Sequence, residues 1–306
     1  MSAPRFSVWP IPERPWSEVR DLALWAESEQ WHCIWYADHF MPNTGDEAVA
    51  DGDVHEAWSM IAALASITSR IRIGSIVSPT TVRHPAILAN SAATIDRISD
   101  GRLTLGLGAG WQVNEHLAYG FDLLEPKDRV DRFEEALEIC RRLLSEDRTT
   151  FIGRHFRFRD APCQPRPVQH PLPIMVGTGG PRMTRITARL ADQWNTWGTP
   201  EVAGERIAVL DEALARAGRD PSSMHRSVQA MFFIADDPEK ADKIRRAAPT
   251  DRAVIGPTEK ILEAVERYVD LGFDEIIFPD FTLGRSASER RESYERLGRE
   301  VVAHWS

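Results

Sequence analysis

The clearest pattern lies in residues 71–115, where an apolar run, a helical period and a second apolar run follow one another. Residues 71–77 are short, apolar and β-branched, as expected of a strand that is buried on both faces. After Pro85, which suits a first helical turn, residues 86–98 carry apolar side chains at helical spacing, and residues 103–107 form another apolar run. A strand, a helix and a strand with short connections predict a parallel β-α-β unit.

The same alternation continues along the whole chain. Short apolar runs predict strands at residues 5–9, 33–37, 71–77, 103–107, 174–176, 192–196, 227–235 and 275–279. Apolar residues at helical spacing predict helices at residues 16–30, 57–68, 86–98, 129–144, 202–217, 240–246, 258–271 and 288–303, with a further helix ending at residue 190. Such alternation predicts an α/β fold, either a TIM (β/α)₈ barrel or a doubly wound open sheet, and the count of eight strands favours the barrel.

Three stretches interrupt this alternation. Residues 41–56 form a long polar loop, the stretch after Trp111 has no clear period, and residues 151–173 are rich in Arg, Pro and aromatic residues. A loop as long as the third inside a compact domain is usually functional or a lid. We therefore expect a single domain over residues 1–306, a TIM barrel with insertions in the loops at its C-terminal face.

Composition and charge exclude several classes of partner. The 306 residues, 42% of them hydrophobic, suffice for one large core, and the net charge of -9 argues against binding nucleic acid or an anionic membrane. No apolar run reaches membrane-spanning length, and the N-terminus has no apolar signal region. Cys33, Cys140 and Cys163 lack zinc or redox spacing, so we interpret them as reduced, buried thiols of a cytoplasmic protein.

Asp38 and His39 stand at the end of the second predicted strand. In α/β proteins the ligand binds at the carboxyl ends of the strands. A histidine there can exchange a proton with a substrate near neutral pH, and Asp38 can orient it or anchor a loop. The alternative is a hydrogen-bonded structural histidine at the barrel rim, and these two residues alone leave both readings open.

Two turns that contain glycine follow other strands. Residues 177–180 (GTGG) lead into a helix, where free backbone N–H groups favour a phosphate, although such turns also occur for geometric reasons. Residues 108–111 (GAGW) would let a flat ring approach the backbone, with Trp111 lining the pocket. Glu115 is then either a polar group of the site or a solvated loop carboxylate.

Aromatic residues also fall at or just after strand ends, namely Trp9, Trp194, Trp197 and Phe281. Such a set around a barrel mouth suits an aromatic ligand, and packing under loops is the alternative. The acidic loop around His55 lacks the close spacing of metal ligands, so no metal site is predicted.

Several segments resemble the bacterial luciferase-like superfamily. The segment VSPTTVRHPAILANSAATIDRISDGRLTLGLGAGWQVNEH carries the superfamily motif, with WYADH before it and PIMVGTGG and ADQWNTWG after it. Within the superfamily the chain is most similar to oxidoreductases that use the deazaflavin coenzyme F420, over nearly its whole length from RFSVWP to IIFPDFTLG. The resemblance implies a TIM barrel with the deazaflavin ring at its C-terminal mouth.

The resemblance also implies roles for individual residues. The loop after the third strand should contact the ring, with a non-prolyl cis peptide at Ile76-Val77, and His39 matches a frequent ring or substrate neighbour that acts as acid or base. Together with Asp38 and Trp111 from the strand ends, the remaining cofactor-binding set is Ala109, Gly110, Thr178, Gly179 and Gly180. The lysine pair of the family's sugar-phosphate dehydrogenases is not seen, so glucose 6-phosphate is not an expected substrate.

We therefore expect an F420-dependent oxidoreductase that moves a hydride between the deazaflavin C5 and a small organic substrate. His39 would give or take the accompanying proton, with Glu115 as its helper. The alternatives are an FMN-dependent monooxygenase on the same scaffold and a flavin- or deazaflavin-binding protein without turnover. A homodimer is the expected assembly.

Overall fold

Thirteen strands and ten helices make up the fold over residues 3–305, the part of the chain that the computed structural model describes. The strands are β1 (Arg5–Trp9), β2 (Cys33–Tyr36), β3 (Arg72–Ser75), β4 (Ser78–Pro79), β5 (Leu103–Gly108), β6 (Thr149–Ile152), β7 (Arg157–Ala161), β8 (Ile174–Gly177), β9 (Gln193–Trp197), β10 (His225–Gln229), β11 (Met231–Ile234), β12 (Ala253–Gly256) and β13 (Glu275–Pro279). The helices are α1 (Trp16–Ser28), α2 (Ala57–Ile67), α3 (Pro85–Ile98), α4 (Val113–Tyr119), α5 (Pro126–Ser145), α6 (Pro181–Leu190), α7 (Pro200–Arg216), α8 (Pro238–Ala247), α9 (Thr258–Asp270) and α10 (Ala287–Glu300).

The centre of the fold is a closed barrel of parallel strands. Its order is β3-β2-β1-β13-β10-β9-β8-β5, and β5 pairs back onto β3 through Ile73 and Leu103. This ring is a (β/α)₈ barrel, so the predicted fold is confirmed. The open sheet is excluded because the pairing of β5 with β3 leaves the barrel without edge strands.

The longer outer helices bury one apolar stripe each against the barrel. On α5, Phe133, Leu137 and Cys140 are fully buried, and burial of a side chain such as Phe133 contributes about 1.5–3 kcal/mol. Helix α3 begins at Pro85, where the His84 side chain accepts a hydrogen bond from the Ala86 N–H. The predicted helices are confirmed with ends shifted by a few residues, and within residues 3–305 each helix is too short or too polar to cross a bilayer.

All three cysteines are free and buried, as the sequence predicts. Cys33 belongs to a small apolar cluster inside the barrel, together with Trp9, Trp35, Ile76, Met175 and Ile277. Side chains alternate between the two faces of a strand, so the neighbours of these residues, such as Val8 and Ile34, point outward to the helices. The inner cluster closes the barrel lumen beneath the carboxyl ends of the strands.

Two predicted strands have different boundaries. The strand predicted at residues 71–77 ends at Ser75, and the chain pairs again only at β4, after the cis peptide Ile76-Val77. The run at residues 227–235 is two strands, because the chain leaves the barrel after Gln229 and β11 pairs outside it with β12. An apolar run does not reveal where a strand changes its pairing partner. The sequence also did not predict β12, a four-residue strand whose partner is β11.

Two stretches that looked irregular contain regular structure. Part of residues 151–173 belongs to the antiparallel hairpin of β6 and β7, where Phe151 lies opposite Phe158. The stretch after Trp111 holds α4, a seven-residue helix that ends at Gly120 in the left-handed conformation, with φ of 70°. Both elements are too short to show a clear hydrophobic period, so the prediction of irregular structure was wrong there.

Candidate active site

A cavity of about 600 Å³ opens at the carboxyl ends of the barrel strands. Its walls are the ends of β1, β2, β3, β5, β8, β9 and β10, with further side chains from β4, α4, α6, α7, β11 and the residue before β12. Its volume is that of a pocket for a small ligand or a cofactor ring. Among residues 3–305, His, Cys, Asp and Glu side chains do not gather in a group that could hold a metal ion.

Most of the residues singled out in the sequence line this cavity. They are His39, Ile76, Val77, Ala109, Gly110, Trp111, Glu115, Thr178 and Gly179. They lie far apart along the chain, at the ends of four different barrel strands. The closure of the barrel brings them together, as expected for parallel strands whose carboxyl ends meet at one face.

Asp38 does not line the cavity, whereas the sequence assigned it to cofactor binding. Its carboxylate is fully buried, and its two oxygens accept hydrogen bonds from Nε and Nη2 of Arg83 at 3.0 and 2.7 Å. Arg83 Nη2 also donates to Glu56 at 2.6 Å. Asp38 therefore anchors the loop, the second role that the sequence left open for it. Gly180 also lies outside the cavity wall, as the N-cap of α6.

His39 and Glu115 form a hydrogen-bonded pair at the cavity wall. The Nδ1 atom of His39 lies 3.1 Å from Oε1 of Glu115, and Oε2 accepts the backbone N–H of Phe40 at 2.9 Å. The Glu115 side chain is 1% exposed and that of His39 is 22% exposed. A carboxylate only accepts hydrogen bonds, so Nδ1 carries the proton of a neutral His39 and Nε2 is left to exchange a proton with a ligand.

Glu115 is thus a buried acceptor rather than a solvated loop carboxylate. It lies in the first turn of α4, where the free N–H groups of the helix favour a negative charge. The ring of His39 is also held from its other side, because Trp111 packs edge-to-face against it with 5.6 Å between ring centroids. Both contacts restrict the orientation of the imidazole.

An apolar ledge forms one wall of the cavity at Ile76 and Val77. The peptide between them is cis, as the resemblance implied. Glycines let the neighbouring strands approach this ledge closely, since a Cβ added at Gly108 would lie 2.5 Å from Cγ2 of Val77. A Cβ at Gly177 would lie 3.0 Å from Cγ1 of the same side chain. The result is a smooth wall that fits a flat ring.

Aromatic side chains from β1, β9 and the turn after β13 form another wall. The ring centroids of Trp9 and Trp197 are 5.5 Å apart, and those of Trp9 and Phe281 are 6.1 Å apart. Trp194 was wrongly placed in this set. It points to the opposite face of β9 from Asn195, is fully buried and stacks on Phe273 at 6.0 Å.

The sequence reading missed two pairs of polar residues in the cavity wall. The amides of Asn195 and Gln229 lie 2.6 Å apart on neighbouring strands, at inward positions that strand alternation could have identified. Two arginines, Arg206 of α7 and Arg252, also line the cavity. Burial lowers the pKa of Arg206, and the charge of Arg252 acts in the same direction. Nothing in the sequence marked these arginines, because helix and loop cations are usually solvated.

Comparison with known sequences identifies relatives over most of the chain. A family model for luciferase-like monooxygenases matches residues 1–251. An F420-dependent glucose-6-phosphate dehydrogenase of Kineococcus radiotolerans is 30% identical over 85% of this chain and 86% of that protein. An enzyme of the same description from Microbacterium testaceum is 28% identical over 86% of this chain and 87% of its own length.

Comparison with solved structures identifies the same barrel in several enzymes. The F420-dependent tetrahydromethanopterin reductase of Methanopyrus kandleri matches over 100% of both chains, with a TM-score of 0.82 and 18% identity. An F420-dependent secondary alcohol dehydrogenase, in complex with an F420-acetone adduct, matches over 99% of both chains, with a TM-score of 0.83 and 18% identity. At these identities the likeness establishes the fold alone.

Proposed function

This chain belongs to the luciferase-like monooxygenase family, and we propose that it acts as an F420-dependent oxidoreductase on a small organic substrate. Its F420-dependent relatives, which match over most of the chain, support the cofactor. The observation that carries the proposal is the pair of His39 and Glu115, which presents a proton-exchanging nitrogen at the cavity wall. The single-domain organisation, the cytoplasmic location and the homodimer stay predictions.

The cavity has the features that a deazaflavin requires. Bound F420 would supply a hydride donor or acceptor at C5 of its flat ring. We assign the apolar ledge at Ile76 and Val77 to the ring, together with the backbone of residues 108–110. We assign Thr178 and the N–H groups at the start of α6 to the phosphate, because a helix N-terminus favours an anion.

His39 handles the proton that accompanies the hydride. During oxidation of an alcohol, Nε2 of a neutral His39 takes the hydroxyl proton, and during reduction a protonated His39 returns it to the carbonyl oxygen. Glu115 keeps the proton on Nδ1 and stabilises the imidazolium that forms. Glu115 is therefore a positioning residue rather than a second base.

The walls of the cavity narrow the class of substrate. Trp9, Trp197 and Phe281 offer an apolar aromatic surface, which favours an alcohol or carbonyl compound with an apolar body. Within residues 3–305 the lysine and arginine side chains that line the cavity are those of Arg206 and Arg252, and the expectation that glucose 6-phosphate is not the substrate stays a prediction.

An anaerobic screen tests the proposed activity. The protein is mixed with oxidised or reduced F420 and a panel of apolar alcohols and carbonyl compounds, and the visible absorbance of oxidised F420 is followed. We expect turnover with at least one pair and its loss in His39→Ala. Oxygen consumption with reduced FMN and the same panel, without F420 turnover, would overturn the proposal in favour of a monooxygenase. Tight cofactor binding without any turnover would favour a binding protein.

A further inference from the structure

We propose that Arg206 and Arg252 form an anion subsite at the cavity rim that holds the phosphate and glutamate tail of F420. The proposal rests on the F420 function proposed above and adds two binding residues to it. Both arginines line the same cavity as His39 and the apolar ledge. They are the charged groups that the hydride and proton chemistry of the site does not use.

Arg206 lies directly against the turn that precedes α6. A Cβ added at Gly179 would lie 2.8 Å from Cζ and 3.0 Å from Nε of Arg206, so the guanidinium rests on the glycine backbone. This turn ends in the N-terminus of α6, where N–H groups are available to an anion. A cation and a helix N-terminus therefore face the same volume.

The guanidinium of Arg206 is held in place while most of its donors stay free. Its Nη1 atom donates to Oγ1 of Thr196 at 2.9 Å and to the backbone oxygen of Trp197. Among residues 3–305, Nε and Nη2 have no hydrogen-bond partner, and Arg206 has no carboxylate within salt-bridge distance. A preorganised guanidinium with free donors suits a phosphate or carboxylate, which it can bind with two parallel hydrogen bonds.

Arg252 adds a second positive charge beside the first. Its guanidinium contacts Asp251 at 2.9 Å, and both side chains are nearly half exposed, so this ion pair contributes little and can open to an anionic ligand. Burial is the main cause that lowers the pKa of Arg206; the carboxylate of Asp251 acts against it and the charge of Arg252 adds to it. An anion bound beside the two arginines would stabilise the buried charge of Arg206.

The tail of F420 is anionic, because it carries a phosphodiester and a chain of glutamates beyond its ring. Arg206 and Arg252 at the cavity wall are complementary to it in charge, although the whole chain has a net charge of -9. A neutral or apolar substrate would make no use of these two charges.

The test compares two ligands that share the deazaflavin ring. One is F420, and the other is the same deazaflavin ring with its ribityl chain but without phosphate and glutamates. Binding to each is followed by fluorescence quenching in the full-length protein, for wild type, Arg206→Gln, Arg206→Lys and Arg252→Gln. Arg216→Gln is the matched control, because it removes the same charge from the other end of α7.

We expect Arg206→Gln to raise the Kd for F420 about tenfold, the loss expected for one charge-assisted hydrogen bond, and to leave the Kd of the tail-less ligand within about twofold. The Kd of Arg206→Lys for F420 should lie between those of wild type and Arg206→Gln, because lysine keeps the positive charge but cannot donate two parallel hydrogen bonds. Arg252→Gln should also raise the Kd for F420, and the Kd of Arg216→Gln should equal that of wild type. Added salt should weaken F420 binding more in wild type than in Arg206→Gln.

Several results would overturn the subsite. If Arg206→Gln lost affinity equally for both ligands, Arg206 would be a structural residue. If Arg206→Gln kept its affinity for F420, Arg206 would not bind the F420 tail. Unchanged F420 affinity with a raised KM for an anionic substrate would assign the subsite to that substrate. Wild-type protein that binds neither ligand would overturn the proposed function itself, whereas F420 binding that is insensitive to the tail would overturn the subsite alone.

Discussion

One carboxylate, that of Glu115, holds both the imidazole of His39 and the backbone that carries it. Oε1 lies 3.1 Å from Nδ1 of His39, while Oε2 accepts the N–H of Phe40 at 2.9 Å. The group that sets the tautomer of His39 therefore also fixes the position of its loop. Because Glu115 is 1% exposed, water does not compete for either hydrogen bond.

Replacement of His39 tests the proton transfer. We expect His39→Ala to lower kcat about 10²–10⁴-fold, the range of general acid–base catalysis, and to leave the Kd for F420 within about twofold. Steady-state kinetics and cofactor titration measure the two quantities. The control is His304→Ala, which removes an exposed histidine near the C-terminus. Unchanged turnover in His39→Ala would remove His39 from the chemistry.

Replacement of Glu115 separates orientation from charge. In Glu115→Gln one amide oxygen can still accept the Phe40 N–H, but the amide nitrogen then faces Nδ1 of His39 and favours the opposite tautomer. We expect kcat to fall about 10–100-fold with little change in the Kd for F420. Glu115→Ala should also lower the thermal midpoint, since the buried Phe40 N–H loses its acceptor. Equal activity of Glu115→Gln and wild type would contradict this role.

Asp38 is expected to affect stability rather than cofactor affinity. Asp38→Asn removes the charge that pairs with Arg83 at 2.7 Å, and we expect it to lower the free energy of unfolding by about 1–3 kcal/mol. The Kd for F420 should stay within about twofold. Urea unfolding and cofactor titration are the measurements. A large loss of F420 affinity at unchanged stability would restore Asp38 to the cofactor site.

The opposite end of the barrel makes stability depend on pH. Burial lowers the pKa of His32 from 6.5 to about 4. Burial of Glu275 acts to raise its pKa, but the hydrogen bond and charge of His225, with the charge of His32 and the Ser7 hydroxyl, lower it to about 2. Both groups bind protons more weakly in the folded protein than in the unfolded chain, so both favour the unfolded chain as the pH falls.

The two groups act in different pH ranges. The contribution of His32 is lost between pH 6.5 and about 4, and that of Glu275 between pH 4.5 and about 2. Between pH 7.5 and 4.5 we expect the free energy of unfolding to fall by about 2–3 kcal/mol through His32, measured by urea unfolding. His32→Asn should flatten this fall, whereas His304→Asn should not. Equal slopes for His32→Asn and wild type would contradict the assignment.

Much of the fold and the site could be predicted because the barrel repeats one simple pattern. Asp38-His39 and residues 108–111 follow strands of a parallel barrel, and the carboxyl ends of all such strands lie at one face. Once eight strands predict the barrel, the proximity of these residues is predicted with it. Periodicity fails where elements are short or change partners, as in α4 and the β11–β12 pair.

The errors in the site have a similar origin. Position along a strand predicts that Asp38 lies near the mouth, but not that its buried carboxylate turns to Arg83, forty-five residues away. Trp194 was misplaced by one step of strand alternation. Arg206 reaches the cavity from a helix, and a long flexible side chain gives no sequence signal of where its charge lies.

The most direct test of the central claim is a paired titration of the purified protein with F420 and with FMN, followed by fluorescence quenching. F420 binding at least about tenfold tighter than FMN binding is the expected result, and it corresponds to about 1.4 kcal/mol of preference. Tighter binding of FMN would contradict the F420 assignment and make oxygen chemistry the next assay. Binding of neither would contradict the whole reading of the cavity as a site for a flavin-like ring.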